Sequence, residues 1–284
     1  MSCSISVVVP ARNAASTLGT QLGALLGQAT DVEFEVIVVD NASTDDTATI
    51  ASAFPQVRVV EASTLGVNAA RNAGAAAATG SVVLIADADD IVQPGWMAAM
   101  YEASLQADCF GGALDHVPLN EAVTRQRWNV PETVSVHRGP GVVPSPIGAN
   151  CGFRRAVWVQ LGGFDERVYG GGDEYEFFWR AQAQGFSYAE APDAVISYRL
   201  RASWRSILRR EYGAGRAMVR MFDVTGANGS PVEGPLAVLR VYGWIVKEAV
   251  LGAGDRRRRW SAARTAARRV GRLVESARRR RWFL

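Results

Sequence analysis

The stretch Val82-Val83-Leu84-Ile85-Ala86-Asp87-Ala88-Asp89-Asp90 joins an apolar run to three closely spaced carboxylates. An uninterrupted apolar run is typical of a strand buried on both faces, as in a parallel sheet covered by helices. Ligands of open α/β sheets bind beyond the carboxyl ends of the strands, so we expect the carboxylates at a ligand site. Such carboxylates repel one another unless a cation lies among them, and hard oxygen ligands suit Mg²⁺ or Mn²⁺. The alternative is a polar turn that leads into a helix.

Alternating strands and helices are predicted around this stretch. Further strands are expected at residues 4–9, 35–39, 57–60 and 195–200, and helices at 14–26, 43–54, 67–78, 96–105 and 174–184. Ser16 is the predicted cap of the first helix. Residues 138–150, rich in Gly and Pro, are predicted to form a loop. The alternation favours an α/β fold with a Rossmann-like, mostly parallel sheet flanked by helices.

Cysteines and histidines are few, which excludes several kinds of site. Cys3, Cys109 and Cys151 form no C-x-x-C pair, so neither a disulfide framework nor a zinc site is indicated. His116 and His137 are the only histidines, and nothing suggests a serine–histidine triad. No G-x-G-x-x-G follows the first strand, so an NAD-type site is not expected. No signal-peptide pattern precedes that strand, and we expect a cytoplasmic protein.

Charge is distributed unevenly along the chain, whose formal net charge is +3. Residues 255–284 contain twelve arginines against Asp255 and Glu275, so the preceding part of the chain is acidic. We therefore divide the chain into an α/β domain at residues 1–203 and a helical, arginine-rich extension at residues 204–284.

The extension has the pattern of a helix that lies on a membrane surface. Between residues 260 and 277 apolar side chains recur on one helical side, and Arg264, Arg268 and Arg272 lie on the other. Such a helix, followed by Trp282-Phe283-Leu284, fits an anchor on anionic lipid at the inner face of a membrane. A solvated face is the alternative, and nucleic acid is disfavoured because the rest of the chain is acidic.

Several polar segments follow the predicted strands in a characteristic order. They are Val9–Asn13, Asp40–Asp45, Asn68–Gly74, Asp87–Asp90, Leu161–Glu166 and Gly171–Phe177. Together they resemble the family-2 glycosyltransferases, which are inverting enzymes with the GT-A fold that use nucleotide-diphosphate sugars. The resemblance covers residues 4–200 and implies transfer of a sugar to a hydroxyl of a lipid-linked or polysaccharide acceptor.

The resemblance implies a donor pocket at the ends of the first two strands. Asp40 would accept a hydrogen bond from an N–H of the nucleotide base. Pro10, Ala11 and Arg12 would line the pocket around the base and the ribose. Arg71, in an R-N-x-G pattern, would contact the diphosphate or the base, because a planar guanidinium suits phosphate and carbonyl oxygens.

The resemblance also assigns the metal ligand and the catalytic base. Asp87 would contact the ribose or a metal-bound water, and Asp89 would ligate the Mg²⁺ or Mn²⁺ ion that bridges the phosphates. A carboxylate at the start of a later helix would take the acceptor proton. The sequence there is Asp173-Glu174-Tyr175-Glu176, in which Glu174 takes this role by position and Asp173 is the close alternative. An acidic helix N-terminus without catalytic function would have the same composition.

One departure from the family pattern concerns the metal. Many family members have a histidine after the last strand, whereas the segment Ile196–Arg201 has none. Either Asp89 with diphosphate and water suffices, or Arg199 or Arg201 neutralises phosphate directly.

Two other functions stay open on the sequence. A nucleotidyltransferase also uses strand-end acids and a metal, but it needs a Gly-rich basic loop that Pro10–Ala14 does not supply. A non-catalytic protein that binds sugar nucleotides would fit the altered acid segment and the missing histidine.

Overall fold

The computed structural model describes residues 4–139, 142–226, 235–251 and 255–280. The strands are β1 (Ile5–Ala11), β2 (Phe34–Asp40), β3 (Val57–Glu61), β4 (Val82–Ala86), β5 (Ile91–Val92), β6 (Cys109–Asp115), β7 (Thr133–Val134), β8 (His137–Gly139), β9 (Val142–Ser145), β10 (Asn150–Arg154) and β11 (Tyr188–Ser197). The helices are α1 (Leu18–Leu26), α2 (Thr47–Ser52), α3 (Val67–Ala77), α4 (Trp96–Gln106), α5 (Ala122–Trp128), α6 (Arg155–Leu161), α7 (Asp173–Ala183), α8 (Trp204–Thr225), α9 (Pro235–Leu251) and α10 (Arg256–Arg279).

The strands form one mixed sheet with two helix-covered faces. Their order is β3-β2-β1-β4-β10-β6-β11-β5, with β7 paired to β6, and a separate hairpin joins β8 and β9. Side chains alternate between the faces, so Val7 and Val9 lie in one buried cluster while Val8 lies in the other. The predicted α/β fold with a Rossmann-like sheet is confirmed, although β10 inserts antiparallel between β4 and β6.

Parallel pairing brings the polar strand ends together. Ala11 of β1 is level with Asp40 of β2, and Val8 of β1 is level with Ile85 of β4. The segment that follows β4 therefore leaves the sheet at the same edge as Ala11 and Asp40. This edge carries the candidate site.

Four predicted boundaries are wrong. Helix α1 begins at Leu18 and its cap is Thr17, not Ser16, because residues 14–17 form a turn before the helix. Helix α2 begins at Thr47, after a loop that contacts the end of β1. Strand β11 begins at Tyr188, since it pairs along β6 for most of its length. The predicted loop at residues 138–150 contains strand β9 and the start of β10.

The C-terminal extension consists of the predicted helices, of which α8 and α10 pack along each other. Two fully or nearly buried carboxylates lie between them. Glu211 of α8 accepts hydrogen bonds from Arg264 and Arg268 of α10. Glu275 of α10 accepts them from Arg216 and Arg220 of α8 and from Arg279. Buried ion pairs with several donors thus fix the packing of the two helices.

The structure shows which side of α10 faces the protein. Arg264 and Arg268 bind Glu211, and Arg272 is buried, so the arginine side faces the protein. The apolar side carries Val270 and Leu273, which are 50% and 40% exposed. The segment Trp282–Leu284, and with it the predicted end of the anchor, lies outside the described residues. Across the described part of the chain, every helix is too short or too polar to cross a membrane.

Substituting Glu275→Gln is expected to lower the free energy of unfolding by about 3 kcal/mol, because Arg220 is 2% exposed and would lose its counter-charge. Partial burial alone would raise the pKa of Glu275, but hydrogen bonds from Arg279, Arg216 and Arg220 lower it to about 2. The stability that Glu275 contributes is therefore complete above pH 4.5 and is lost as the pH falls toward 2.

Urea unfolding at neutral and at acidic pH measures this effect. Asp223→Asn is the matched control, because Asp223 pairs with the more exposed Arg279 at the edge of the same cluster. If both variants lost the same free energy of unfolding, Glu275 would not stabilise the chain more than Asp223 does.

Candidate active site

The ends of β1 and β2 form one wall of the site. Asp40 is partly buried, and its Oδ1 atom is shielded from solvent with no hydrogen-bond donor among the described residues. A buried carboxylate oxygen without a partner is costly, so this atom is suited to receive an N–H from a ligand. Pro10 and Ala11 lie beside it in the parallel ladder, and Arg12 is exposed at the rim.

The loops after β1 and β2 hold each other in place through a residue that sequence analysis missed. The Asn13 side-chain oxygen accepts from Thr44 N at 2.8 Å, and Asn13 N donates to Ser43 Oγ at 3.0 Å. Asn13 has φ +52°, a left-handed conformation that asparagine tolerates. Its position directly after a strand end was the available signal.

The carboxylates that follow β4 form a compact cluster. One oxygen from each of Asp87, Asp89 and Asp90 lies within 4.8 Å of the others. Asp90 is buried; Oδ1 accepts from Arg199 N at 2.7 Å, and Oδ2 is shielded with no donor among the described residues. Three hard oxygen ligands at this spacing and one buried oxygen without a donor fit a divalent cation.

Electrostatics in the cluster is governed by burial. Burial raises the pKa of Asp87 to about 7. The positive charge of Arg71 acts against this shift, and the negative charges of Asp89 and Glu174 add to it. Burial and the charges of Asp87 and Asp89 also raise the pKa of Asp90 well above its usual range. Concentrated negative charge of this kind is stabilised by a bound cation.

Two arginines occupy the place where the family histidine is missing. Arg199 Nε donates to the main-chain oxygen of Asp89 at 2.9 Å. The guanidinium of Arg201 lies 3.8 Å from Asp89 Oδ2 and is largely exposed. Arg199 therefore fixes the turn that carries Asp89. Arg201 places a positive charge on a long side chain at the solvent-exposed side of Asp89.

The acidic segment begins helix α7 after three glycines. Gly170, Gly171 and Gly172 all have positive φ, which permits the sharp approach of the chain to the helix. Asp173 and Glu174 are both buried, with Asp173 Oδ1 accepting from Gly171 N at 2.5 Å. Burial, opposed by Arg71 and reinforced by Glu174, raises the pKa of Asp173. Asp173 thus stabilises the start of helix α7. This contact is the one expected if the acids of this segment serve the helix N-terminus rather than catalysis.

Arg71 connects helix α3 to this segment. It is buried, and Nη1 lies 3.0 Å from Asn68 Oδ1 and 3.5 Å from Asp173 Oδ2. Burial alone would lower the pKa of Arg71, but the carboxylates of Glu174 and Asp173 outweigh it and raise the pKa. The structure brings Arg71 to the acids of α7; its contact with the donor stays a prediction.

Gly148, which precedes β10, is a second residue that sequence analysis missed. Its main-chain N donates to Glu174 Oε1 at 3.1 Å. A Cβ atom at this position would lie 2.9 Å from Glu174 Cδ and within 2.5 Å of the Arg71 guanidinium. The absence of a side chain at Gly148 therefore allows Arg71 and Glu174 to pack under β10. Only its location in a Gly- and Pro-rich segment signalled this role.

Comparison with solved structures defines the class of fold. A mannosyltransferase, PcManGT from Pyrobaculum calidifontis, superimposes with a TM-score of 0.63 at 22% identity, over 95% of this chain and 86% of that one. TarS residues 1–349 from S. aureus superimpose with a TM-score of 0.54 at 20% identity, over 99% of this chain and 93% of that one. The protein has the GT-A fold.

The sequence identifies the family within that class. The model described as glycosyl transferase family 2 matches residues 6–162, which is more than half of the chain. The chain therefore belongs to glycosyl transferase family 2 and is a glycosyltransferase.

Curated relatives bear related names. The succinoglycan biosynthesis protein ExoO of Rhizobium meliloti is 29% identical over 78% of this chain and 70% of its own length. Glycosyltransferase AglE of Haloferax volcanii is 24% identical over 77% of this chain and 74% of its own length. The uncharacterized glycosyltransferase YibD of Escherichia coli is 29% identical over 55% of this chain, and the match spans 46% of that protein.

Proposed function

We propose that the chain is an inverting hexosyltransferase that transfers a sugar from a nucleotide-diphosphate donor to a hydroxyl of a lipid-linked or polysaccharide acceptor. The observation that carries the proposal is the position of the acid cluster at the same edge of the sheet as Asp40. The charges of Asp173 and Glu174 are close enough to this cluster to raise the pKa of Asp87. PcManGT was solved with GDP-Man and Mn²⁺, and TarS with UDP and with UDP-GlcNAc, which supports a donor of this class.

On the donor side, Asp40 accepts an N–H of the base through its buried Oδ1, and Pro10, Ala11 and Arg12 border the base and ribose. Asp89 would hold Mg²⁺ or Mn²⁺ together with Asp87, and the buried Oδ2 of Asp90 would support the site. The cation, when bound, supplies positive charge against the diphosphate, so no general acid is needed there.

On the acceptor side, Glu174 takes the proton of the attacking hydroxyl. The acceptor oxygen forms a bond to the anomeric carbon as the bond from that carbon to the diphosphate breaks. The nucleoside diphosphate leaves with the bonding electrons, and the anomeric configuration is inverted. Glu174 is favoured over Asp173 by its position in the family segment, and because Asp173 Oδ1 accepts from Gly171 N in the turn that begins α7.

Nucleotide binding tests the donor side. UDP and GDP, each with Mn²⁺, are expected to raise the melting temperature, because a ligand that binds only the folded state stabilises it. Asp40→Ala is expected to weaken binding of the preferred nucleotide about tenfold, since the base N–H loses its acceptor.

Asp31→Ala, in an exposed loop before β2, is the matched control and should bind as the wild type does. Equal binding by Asp40→Ala would remove Asp40 from the donor pocket. Release of a nucleoside diphosphate supports glycosyl transfer. Release of pyrophosphate would indicate a nucleotidyltransferase, and binding of the nucleotide sugar without turnover would indicate a non-catalytic protein.

We further propose that the extension holds the enzyme on an anionic membrane surface at the inner face of the membrane. Helix α9 exposes an apolar stripe at helical spacing, formed by Leu236, Leu239, Val246 and Val250. Arg240 and Lys247 border this stripe, and four exposed arginines, residues 256–259, begin α10. Apolar side chains flanked by cations suit insertion among anionic lipids.

Flotation with vesicles tests the membrane proposal. The double substitution Leu239→Ser and Val246→Ser is expected to lower binding to phosphatidylglycerol vesicles roughly a hundredfold, because each side chain loses about 1.5 kcal/mol of burial. Leu105→Ser with Val159→Ser is the control, since these side chains are equally exposed on other helices. Unchanged flotation of the α9 variant, or equal binding to pure phosphatidylcholine, would contradict the proposal.

A further inference from the structure

A cavity of about 330 Å³ lies between the edge of the sheet and the C-terminal extension. Tyr198 and Leu200, which follow β11, form one wall, and Trp128 at the end of α5 forms another. Arg210 of α8 and Arg264 of α10 close it from the extension. The cavity exists only because the extension packs against the α/β part of the chain.

The cavity borders both halves of the proposed reaction centre. Arg201 lines it, and the guanidinium of Arg201 lies 3.8 Å from Asp89 Oδ2. Ile147 also lines it, and the next residue, Gly148, donates its N–H to Glu174. Through these two residues the cavity adjoins the acid cluster and the segment that contacts Glu174, although neither Asp89 nor Glu174 lines it. An acceptor anchored in the cavity would extend beyond this lining for its hydroxyl to reach Glu174.

The charge of the lining is strongly positive. Four arginines and one glutamate line the cavity, a formal excess of three positive charges with neutral His116. Burial lowers the pKa of His116, so its imidazole adds no charge at neutral pH. Glu211 is the glutamate: Arg264 and Arg268 bind it, and Arg210 Nη1 lies 4.0 Å from Glu211 Oε1. Arg201 pairs instead with Asp89. Clustered cations that outnumber their carboxylate are stabilised by a bound anion.

The arginines also have a geometry that suits an oxyanion. The guanidinium of Arg210 lies 5.2 Å from the centre of the Trp128 ring, and that of Arg264 lies 4.6 Å from it. A guanidinium is planar and can donate two parallel hydrogen bonds to phosphate or carboxylate, and contact with a rigid ring restricts its position. The Arg210 side chain is 44% exposed, so its donors are accessible from the cavity.

We infer that this cavity binds the acceptor, and that the acceptor carries an anionic group, a phosphate or a carboxylate, which Arg210 holds against Trp128. The inference rests on the proposed function, since it places the acceptor relative to Glu174. Without an anionic group in the cavity, Arg210, Arg264 and Arg268 share the single carboxylate of Glu211.

Saturation-transfer NMR on the full chain tests this inference, with Mg²⁺, which is diamagnetic, and saturating UDP or GDP added so that the donor pocket is filled. The probes are glucose 1-phosphate, glucuronate and glucose, which separate a phosphate, a carboxylate and a neutral sugar. We expect at least one anionic probe to bind ten times or more tighter than glucose. Arg210→Gln should abolish that preference, and Arg210→Lys, which keeps the charge, should retain part of it.

Arg209→Gln is the matched control, because Arg209 is the exposed neighbour of Arg210 on α8 and does not line the cavity. It should keep the anionic preference of the wild type. A preference for glucose 1-phosphate alone or glucuronate alone supports the inference and identifies the group. Equal binding of all probes, no binding, or an unchanged preference in Arg210→Gln would overturn it. Failure of both UDP and GDP to bind would instead refute the proposed function.

Discussion

Replacing Glu174 with glutamine is expected to reduce glycosyl transfer about a thousandfold while nucleotide binding is retained. The amide cannot take the proton of the attacking hydroxyl, but it has the same size and can still accept the hydrogen bond from Gly148 N. The loss should therefore appear in kcat rather than in the affinity for the donor. Initial rates of nucleoside diphosphate release with acceptor present measure it.

Two variants accompany this measurement. Glu102→Gln, on the exposed side of α4, changes a carboxylate of the same type and should leave transfer unchanged. Asp173→Asn tests the alternative base. If Glu174→Gln keeps full activity and Asp173→Asn loses it, then Asp173 is the base. If both lose activity and only Asp173→Asn unfolds at lower urea concentration, Asp173 is the residue that fixes the helix start.

Asp89→Ala is expected to lower transfer at least about a hundredfold and to remove the Mn²⁺ dependence of nucleotide binding. A bound metal supplies several kcal/mol of charge stabilisation to the leaving diphosphate, and about 3 kcal/mol corresponds to a hundredfold in rate. The carboxylate of Asp89 is 35% exposed and is the most open of the cluster, so its removal should not unfold the chain.

Manganese titration with a fixed concentration of nucleotide measures the effect. Asp46→Ala is the control, because Asp46 is exposed before α2 and is not part of the cluster. An Asp89→Ala variant with undiminished transfer and an unchanged manganese titration would show that this carboxylate is not the metal ligand.

Much of the fold was predictable because strand formation and burial leave a local pattern in the sequence. Val82–Ala86, and the runs that became β1 and β2, are apolar on both faces, and this alone predicts strands covered by helices. The boundaries at α1 and β11 were wrong because they depend on turns and on pairing with β6, which is distant in sequence.

The residues of the site also fall into those that a local sequence pattern predicts and those that depend on contacts between distant segments. The positions of Asp40, Asp87 and Asp89 followed from their place after strands, since parallel strands end at one edge. The pairing of Arg71 with Asp173, which are 102 positions apart, could not be predicted from either segment. The role of Gly148 depends on the packing of β10 over α3 and α7, and a glycine carries no signal of that contact.

The sequence by itself determined the α/β sheet, the acids at its edge, the family and the helical extension. These depend on hydrophobic periodicity and on residues that neighbour one another in the chain. The tertiary structure alone decided which side of α10 faces the protein, because helical periodicity groups residues into sides but does not choose the side that is covered. Glu211 of α8 made that choice by binding Arg268 of α10, and Glu275 of α10 made it by binding Arg220 of α8. The arginine-lined cavity beside the acid cluster follows from the same packing.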